Sequence, residues 1–464
     1  MRHFWRNPEE IPEGLECPDP ARQGRAGQRE LLRTGRVIDE ATLRRCFAPL
    51  EAADHVALAV SGGADSLALT LLAKRWRDRD HPSIRLTVLT VDHGLRPESA
   101  EEAETVARVA ASLGLSCQIL RWHGPHPLAD VEAAARAARY RLLIAAAREM
   151  GAGHLAVAHH RDDQAETFLL RLARGSGVYG LAGMARLAER DSVRIVRPLL
   201  DLSHSDLLAV IRAAGLDAAE DPHNRDERFA RARIRALAST LAREGLTAER
   251  LAATAGRLRR AAAALDHYTG RLLAAAVDVD PLGAIRLSTD AFRGEPEEVR
   301  FRALARILRA AGGAEHVPRL ESLVALEAAL GDGPVQRTLA GVVVSPEGKA
   351  IRFERELGRA GLPDIDVSSG FDGIWDGRFH VAITGTGASA RLAALGPSGR
   401  TQLNADMRSG SMRALEALPA LWSDGVLIAV PTLAIAPPTA LGIKIEAKSI
   451  VGSRLAEGVE EDES

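Results

Sequence analysis

The chain has 464 residues, of which 46% are hydrophobic and 26% charged, and its formal net charge is −2. This length predicts two to four domains with cores large enough to fold without disulfide bonds, and the near-neutral charge excludes a uniformly basic surface. The three cysteines, Cys17, Cys46 and Cys117, are too far apart for a CxxC metal or redox site. The sequence has no run of 18 uncharged apolar residues and no apolar signal segment, so we expect a cytoplasmic protein without membrane contact.

Strands alternate with helices between residues 46 and 220. We predict short buried strands in VALAV (56–60), RLTVLTV (85–91), SCQILRW (116–122) and HLAVAH (154–159). Helices between these strands are typical of a parallel sheet covered on both faces, so we predict a Rossmann-like α/β domain. Residues 1–45 have no sustained apolar period, and we predict a mobile tail there.

The second half of the chain has a different pattern. Residues 221–335 have helical periodicity, which predicts an α-helical domain. From 336 to 464, short β-like runs are separated by Gly and Pro, which predicts a small α+β domain.

A glycine-rich turn follows the first predicted strand and opens a helix. Two adjacent glycines let the backbone approach an anion closely, and the helix N-terminus directs amides toward it. Two serines add hydroxyls, and Asp65 is suited to a metal that bridges phosphates. The turn lacks the GK[ST] and GxGxxG patterns, so it is neither a Walker A loop nor a dinucleotide fingerprint. A simple strand-to-helix turn is the alternative. The predicted phosphate-binding residues are Ser61, Gly62, Gly63, Ala64, Asp65 and Ser66.

The stretch TVDHGLRPES (90–99) ends the second predicted strand. It places Asp92 and His93 at the carboxyl edge of the sheet, where open α/β sheets bind nucleotides. We therefore predict that both residues face the nucleotide.

Residues 158–184 read AHHRDDQAETFLLRLARGSGVYGLAGM. On a helix, His159, Asp163 and Glu166 would share one stripe, with Asp162 beside them. The stripe would continue to Arg171 and Arg174. Its carboxylates could hold a lysine ammonium or a metal, and its arginines a phosphate or RNA. The apolar residues Phe168, Leu169 and Leu172 would pack on the sheet. A solvated amphipathic helix is the alternative.

Two further segments are rich in arginine. In DVEAAARAARYRLL (130–143), Arg136 and Arg139 can share one helix face, unless both are simply solvated. In EDPHNRDERFARARIR (220–235), a local excess of arginine can follow a nucleic-acid backbone. Arg231 and Arg235 lie four residues apart and could face one phosphate track. In a competing interpretation, these arginines pair with acids in the helical section and hold two domains together.

These segments together resemble a known family. SGGADS resembles the SGGxDS loop of the PP-loop, or N-type, ATP pyrophosphatases, which split ATP between its α and β phosphates. With it, the stretches 90–99, 158–184 and 220–235 resemble the tRNA(Ile)-lysidine synthetase family, whose second stretch usually reads HHxDDQxETxLLRLxRGSGxxGLxGM. The resemblance covers most of residues 55–240, and a weaker one covers 412–431.

The resemblance implies a ligase that uses ATP and Mg²⁺. It would join free L-lysine to C2 of the wobble cytidine of the tRNA(Ile) with anticodon CAU, through an adenylated tRNA, releasing AMP and pyrophosphate. A second copy of the chain is a further candidate partner. The alternative is another PP-loop tRNA-modifying enzyme such as a thiolase, which would need catalytic or cluster-binding cysteines, commonly in CxxC pairs.

The resemblance also assigns residues to the reaction, although it leaves open which carboxylate binds lysine or accepts its proton. The expected catalytic residues are Asp65, Arg136, Arg139, Asp163 and Glu166, with Asp65 also the metal ligand. The expected lysine and tRNA contacts are His159, Asp162, Asp163, Arg171, Arg174, Asn224, Arg231 and Arg235.

Overall fold

A computed structural model describes residues 38–94, 98–123, 131–216, 230–331, 336–385, 390–408, 410–438 and 442–458. The chain divides into two compact units, one running to Arg259 and the other beginning at Arg260. In the described part of the chain, no helix is both long enough and apolar enough to cross a membrane.

The predicted tail ends earlier than expected. Residues 1–37 lie outside the described residues, but helix α1 (Glu40–Phe47) belongs to the folded unit. The Asp39 carboxylate accepts the Thr42 amide at 2.7 Å and caps this helix. Leu43 and Phe47, one turn apart, are buried in the core of the first unit. The predicted end of the tail at residue 45 was therefore wrong, because a cap and an apolar face begin before it.

The first unit contains a six-stranded sheet. Its strands are β1 (His55–Ala59), β2 (Arg85–Asp92), β3 (Ser116–Arg121), β4 (His154–Ala156), β5 (Leu187–Arg190) and β6 (Val193–Val196). Their order is β3-β2-β1-β4-β6-β5, and all pair in parallel except the edge strand β5, which is antiparallel to β6. The predicted parallel sheet is confirmed. The strands β5 and β6 were not predicted, because each is only four residues long and β5 is half polar.

Helices cover both faces of this sheet. The helices of the first unit after α1 are α2 (Ala64–Asp80), α3 (Glu98–Ser112), α4 (Val131–Glu149), α5 (Arg161–Ala173), α6 (Val178–Leu181), α7 (His204–Ala213) and α8 (Ala230–Arg243). The long α9 (Ala248–Ala276) follows and contains the boundary between the units. Val56 and Leu58 of β1 pack with α1, α2, α3 and α7, whereas Ala57 packs with α4 on the opposite face. Burial on both faces explains the continuous apolar run in the sequence of β1.

The strand order places one crevice at the centre of the sheet. The chain continues from β1 to β2 on one side and later returns to β4 on the other side of β1. Ligands of open α/β sheets bind at such a switch point, beyond the carboxyl ends of the strands. The turn after β1 and the residues after β4 therefore border the same crevice.

The second unit combines helices with antiparallel sheets. Its further helices are α10 (Thr289–Arg293), α11 (Glu297–Gly312), α12 (Leu320–Gly331), α13 (Gly396–Gln402), α14 (Met412–Glu416) and α15 (Val451–Ala456). Its strands are β7 (Val277–Val279), β8 (Ile285–Ser288), β9 (Arg337–Leu339), β10 (Val342–Glu347), β11 (Ala350–Arg355), β12 (Ile365–Asp366), β13 (Phe371–Trp375), β14 (Phe379–Thr384), β15 (Arg391–Ala394), β16 (Pro419–Ser423), β17 (Val426–Ala429) and β18 (Lys444–Ser449). They form sheets in the orders β7-β8-β11-β10-β9, β12-β15-β16-β17 and β13-β14-β18.

The predicted boundary at residue 335 crosses a hydrophobic core. Leu304 and Leu308 of α11 share one buried cluster with Val344 of β10 and Phe353 of β11. A helical domain ending at 335 would expose these side chains. The helices and the first sheet of this unit therefore fold together, and a second buried cluster around Trp375 lies farther along the chain.

Truncation of Phe353 tests this shared core. Because its ring is fully buried, Phe353→Ala is expected to lower the free energy of unfolding of the second unit by about 3 to 5 kcal/mol. Ile374, whose side chain is 60% exposed, serves as the control, and Ile374→Ala should change that energy by less than about 1 kcal/mol. Urea denaturation followed by circular dichroism measures both. Equal effects of the two variants would contradict the shared core.

Candidate active site

The turn after β1 has the geometry of a phosphate site. Gly62 has a φ of +88°, a conformation in which other residues are strained, and Gly63 is the N-cap residue of α2. Gly63 has no side chain to cap the first amides of α2, so the helix N-terminus is available to an anion. The Ser66 hydroxyl accepts the Ser61 amide at 3.2 Å and donates to the Gly63 carbonyl at 2.9 Å. Ser66 thus closes the turn on itself, and its direct contact with a phosphate stays a prediction.

Asp65, in the first turn of α2, lies between two histidines. Its Oδ1 is 2.8 Å from Nδ1 of His204, the first residue of α7, and its Oδ2 is 3.4 Å from Nε2 of His160. Asp65 and His204 are partly exposed, whereas the His160 side chain is buried. The carboxylate is therefore held at the crevice by one buried and one accessible imidazole.

His160 follows β4 and joins three carboxylates. Its backbone amide donates to Asp163 Oδ2 at 3.0 Å, and its Nδ1 lies 3.2 Å from the Asp162 amide, which completes a capping box at the start of α5 when the ring is neutral. Its Nε2 lies 3.4 Å from Asp65 Oδ2 and 3.5 Å from Asp163 Oδ2. The capping contacts thus orient the ring toward Asp65.

These contacts shift the protonation of the whole cluster. Burial opposes a charge on His160, but the carboxylates of Asp162, Asp65 and Asp163 outweigh it and raise the pKa of His160 to about 10. The hydrogen bond from His160 is the main cause that lowers the pKa of Asp162 to about 2. Burial would raise the pKa of Asp65, but His160 and His204 hold it well below its usual range. Asp65 and Asp162 are therefore ionised at neutral pH.

Of the three potential metal ligands around Asp65, the Asp65 carboxylate is the one suited to a hard cation. Asp65, His160 and His204 bring three potential ligand atoms within 4.8 Å of one another. The Nε2 of His160, however, carries a hydrogen in either protonation state, because Nδ1 of the neutral ring accepts the Asp162 amide. A metal-binding imidazole nitrogen must be unprotonated, so His160 acts as a donor to Asp65. The Asp65 carboxylate supplies the oxygen ligand that Mg²⁺ prefers.

Arginines surround His159, the other histidine after β4. Burial and the charges of Arg197, Arg136, Arg139 and Arg231 hold the pKa of His159 well below its usual range. The guanidinium carbon atoms of Arg136 and Arg139 lie 5.3 and 5.9 Å from the centre of the Tyr140 ring on α4. This concentration of positive charge is suited to phosphate groups.

Glu166 is buried on α5 and pairs with a residue of α8. Its Oε1 and Oε2 accept hydrogen bonds from Nε and Nη2 of Arg235 at 2.8 and 3.2 Å. Burial and the nearby Asp163 raise the pKa of Glu166, and Arg235 opposes them. The crevice thus has a carboxylate side, with Asp65, Asp163 and Glu166, and an arginine side around His159.

Comparison with known proteins places this site in a family. A sequence model described as a PP-loop domain matches residues 36–241. The tRNA(Ile)-lysidine synthase of Bradyrhizobium diazoefficiens is 46% identical over 332 residues, which covers 67% of this chain and 92% of that protein. The enzyme of the same name from Ruegeria pomeroyi is 40% identical over 388 residues, covering 82% of this chain and 89% of that protein. The chain belongs to the tRNA(Ile)-lysidine synthase family. The resemblance drawn from the sequence motifs is confirmed.

The helix that carries the family's HHxDDQ motif begins after His159. α5 starts at Arg161, so His159 precedes the helix and does not share a helical stripe with Asp163 and Glu166. The capping box at His160 ends the strand-to-helix connection there and excludes an earlier start. Phe168 packs on Leu251 and Ala255 of α9, not on the sheet as predicted.

The predicted arginines differ in their contacts. Arg171 donates from Nη1 to the carbonyls of Gly180 at 2.9 Å and Gly183 at 3.3 Å, so it orders the loop after α5. Arg174 is exposed at the end of α5 and Arg231 is partly buried on α8, and phosphate contacts of both stay predictions. Arg235 pairs with Glu166 of α5, an acid outside the predicted helical domain, and its contact with tRNA stays a prediction.

Two further predictions concern the second strand and the arginine-rich stretch. Asp92 accepts hydrogen bonds from the Gly94 amide at 3.1 Å and from the Ser99 hydroxyl, which lowers its pKa and orders the turn after β2. His93 next to it is partly buried. Nucleotide contacts of both residues stay predictions, and Asn224 lies outside the described residues.

Sequence reasoning missed three residues of the site, His160, His204 and Arg197. His160 is adjacent to the predicted contact His159, but its capping role was not visible because capping boxes usually begin with Ser or Thr. Arg197 follows β6, a strand that the pattern did not reveal, and His204 begins the next helix, α7. Their proximity to Asp65 and His159 depends on strand order, which only the fold supplies.

Replacing the two histidines separately tests their different roles. His160→Ala is expected to lower the free energy of unfolding of the first unit by roughly 2 kcal/mol, because it removes an N-cap and the donor to buried carboxylates. His204→Ala removes a half-exposed partner and should cost less than about 1 kcal/mol. Urea denaturation of both variants gives the comparison. A His204→Ala effect as large as that of His160→Ala would contradict the central position of His160.

Proposed function

We propose that the chain joins L-lysine to C2 of the wobble cytidine of the tRNA(Ile) with anticodon CAU, using ATP. The observation that carries this proposal is the position of the SGGADS turn beside the HHxDDQ segment, within a chain of this family. Phosphate-binding amides, a carboxylate side and an arginine side then border one crevice. These are the groups that an adenylation followed by an amine attack requires.

The first step would form an adenylated tRNA. The cytidine O2 attacks the α-phosphorus of ATP, the bond to the β-phosphate oxygen breaks, and pyrophosphate leaves. The amides at the start of α2 bind phosphate oxygens, and Arg136 and Arg139 offset the negative charge that grows on the leaving group. Mg²⁺ held by Asp65 would neutralise part of the same phosphate charge.

The second step would transfer lysine. The ε-amine attacks C2, the bond between C2 and O2 breaks, and AMP leaves with that oxygen. Asp163 and Glu166 on the carboxylate side hold the lysine ammonium, and a carboxylate accepts the proton that the amine loses.

The RNA substrate must expose its target base. A cytidine within a stacked anticodon cannot reach the crevice, so the base has to leave its stack. Arg231 on α8 and the exposed Arg174 at the end of α5 are the candidate contacts with the surrounding phosphates. A thiolase of the same superfamily is the alternative, and it would depend on cysteine chemistry.

Replacement of Asp65 tests the first step. Asp65→Asn should reduce pyrophosphate release from ATP in the presence of the CAU transcript by roughly 100-fold or more, because a metal ligand at the phosphates is lost. Circular dichroism should stay unchanged, since asparagine can still accept from His204. Asp78→Asn on the same helix, which removes an exposed pair with Lys74, is the control and should retain activity. Near wild-type release by Asp65→Asn would overturn the assignment of this turn.

Replacement of the cysteines distinguishes the proposed lysine ligation from a thiolase activity. Cys46 is buried in the core, and Cys117 is partly buried on β3, where burial raises its pKa. A chain with Cys17, Cys46 and Cys117 all changed to Ala should keep lysine incorporation into the transcript. Complete loss in a variant that retains its circular dichroism spectrum would favour the thiolase.

A further inference from the structure

The Glu166–Arg235 pair has an asymmetric environment. The Glu166 side chain is 8% exposed, whereas the Arg235 side chain is 44% exposed. Arg235 donates to both carboxylate oxygens with neighbouring nitrogens of its fork, the bidentate geometry that fixes a carboxylate in orientation as well as position. The buried Glu166 carboxylate on α5 is thus held by the partly exposed Arg235 guanidinium on α8.

The groups around Glu166 act on its protonation in opposite directions. Burial and the Asp163 carboxylate, one helical turn earlier, both favour the protonated acid, and Arg235 and Arg231 favour the anion. A protonated carboxyl group cannot accept a hydrogen bond from an ammonium on both oxygens. Arg235 therefore favours the anionic form of Glu166, which can accept hydrogen bonds from a cation.

We propose that Arg235 is a positioning residue for the lysine step, which fixes the Glu166 carboxylate so that it receives the substrate ammonium together with Asp163. A carboxylate has about four acceptor positions, and Arg235 occupies two of them. This inference rests on the proposed function, and it gives Arg235 a role distinct from a tRNA phosphate contact.

Two substitutions at Arg235 and one elsewhere form the experiment. Arg235→Gln removes the charge and the fork, and Arg235→Lys keeps a charge without the fork. Arg44→Gln is the matched control, since Arg44 makes a similar bidentate pair with Asp80 at 3.1 and 3.2 Å, between α1 and α2. Each full-length variant is assayed for pyrophosphate release without lysine, for the lysine KM of the complete reaction, and for transcript affinity at several salt concentrations.

The proposal predicts an effect confined to lysine. Arg235→Gln should raise the lysine KM by roughly 10- to 100-fold, the worth of a hydrogen bond to a charged group, while pyrophosphate release without lysine changes little. Arg235→Lys should recover part of the loss, and Arg44→Gln should match wild type. The defect of Arg235→Gln should shrink as the pH rises from 6.5 to 8.5. Loss of Arg235 raises the pKa of Glu166 further, and higher pH restores the anion while the lysine ε-ammonium stays charged.

Two other results would overturn the proposal. A weaker transcript affinity with a reduced salt slope and an unchanged lysine KM would make Arg235 a phosphate contact. Lower thermal stability with all kinetic constants unchanged would make the pair purely structural. If Arg235→Gln does not fold, Arg235→Lys alone still separates these outcomes through its lysine KM. Absence of tRNA-dependent pyrophosphate release in the wild type would refute the proposed function instead.

Discussion

The buried imidazole of His160 is the contact on which the rest of the site depends. It lies between Asp65 after β1 and Asp163 after β4, the two segments that flank the crevice of the sheet. Without a donor at this position, the Asp65, Asp162 and Asp163 carboxylates would repel one another, and burial would raise the pKa of Asp65 and Asp162. The same residue caps α5 and so sets where that helix begins. One side chain thus fixes the charge of the cluster and the direction of the helix that carries Glu166.

Charge is separated within the crevice, and the separation suits a reaction in two steps. Arginines from α4, α8 and the segment after β6 act on His159, whereas acids on α2 and α5 act on His160. A triphosphate is stabilised by positive charge and an ammonium by negative charge. The adjacent residues His159 and His160 lie between the arginines and the acids. Glu166 is an acid on α5 whose pKa is raised by burial and lowered by Arg235 of α8. The arginine-rich helix therefore contributes to both sides of the site.

The sequence was sufficient to predict the parallel sheet and the position of the nucleotide turn, because buried parallel strands have continuous apolar runs and SGGADS is a specific motif. It was insufficient for contacts between distant segments. Arg235 was assigned to RNA because its neighbours are arginines, yet its partner Glu166 lies 69 residues earlier. His204 meets Asp65 across 139 residues. In the second unit, a change from helical to β-like pattern near 335 was taken as a boundary, although Phe353 and Leu308 share one core. Hydrophobic periodicity predicts local secondary structure, but it does not predict which helices and strands pack against each other.

The most direct test is analysis of the modified nucleoside. The full-length chain would be incubated with ATP, Mg²⁺, isotopically labelled L-lysine and a tRNA(Ile) transcript with anticodon CAU, and in parallel with a transcript in which the wobble cytidine is replaced. Mass spectrometry of the digested RNA should find labelled lysine attached to cytidine in the first transcript and none in the second. Labelled lysine in neither transcript, or a sulfur-containing nucleoside formed when a sulfur donor is supplied, would contradict the account.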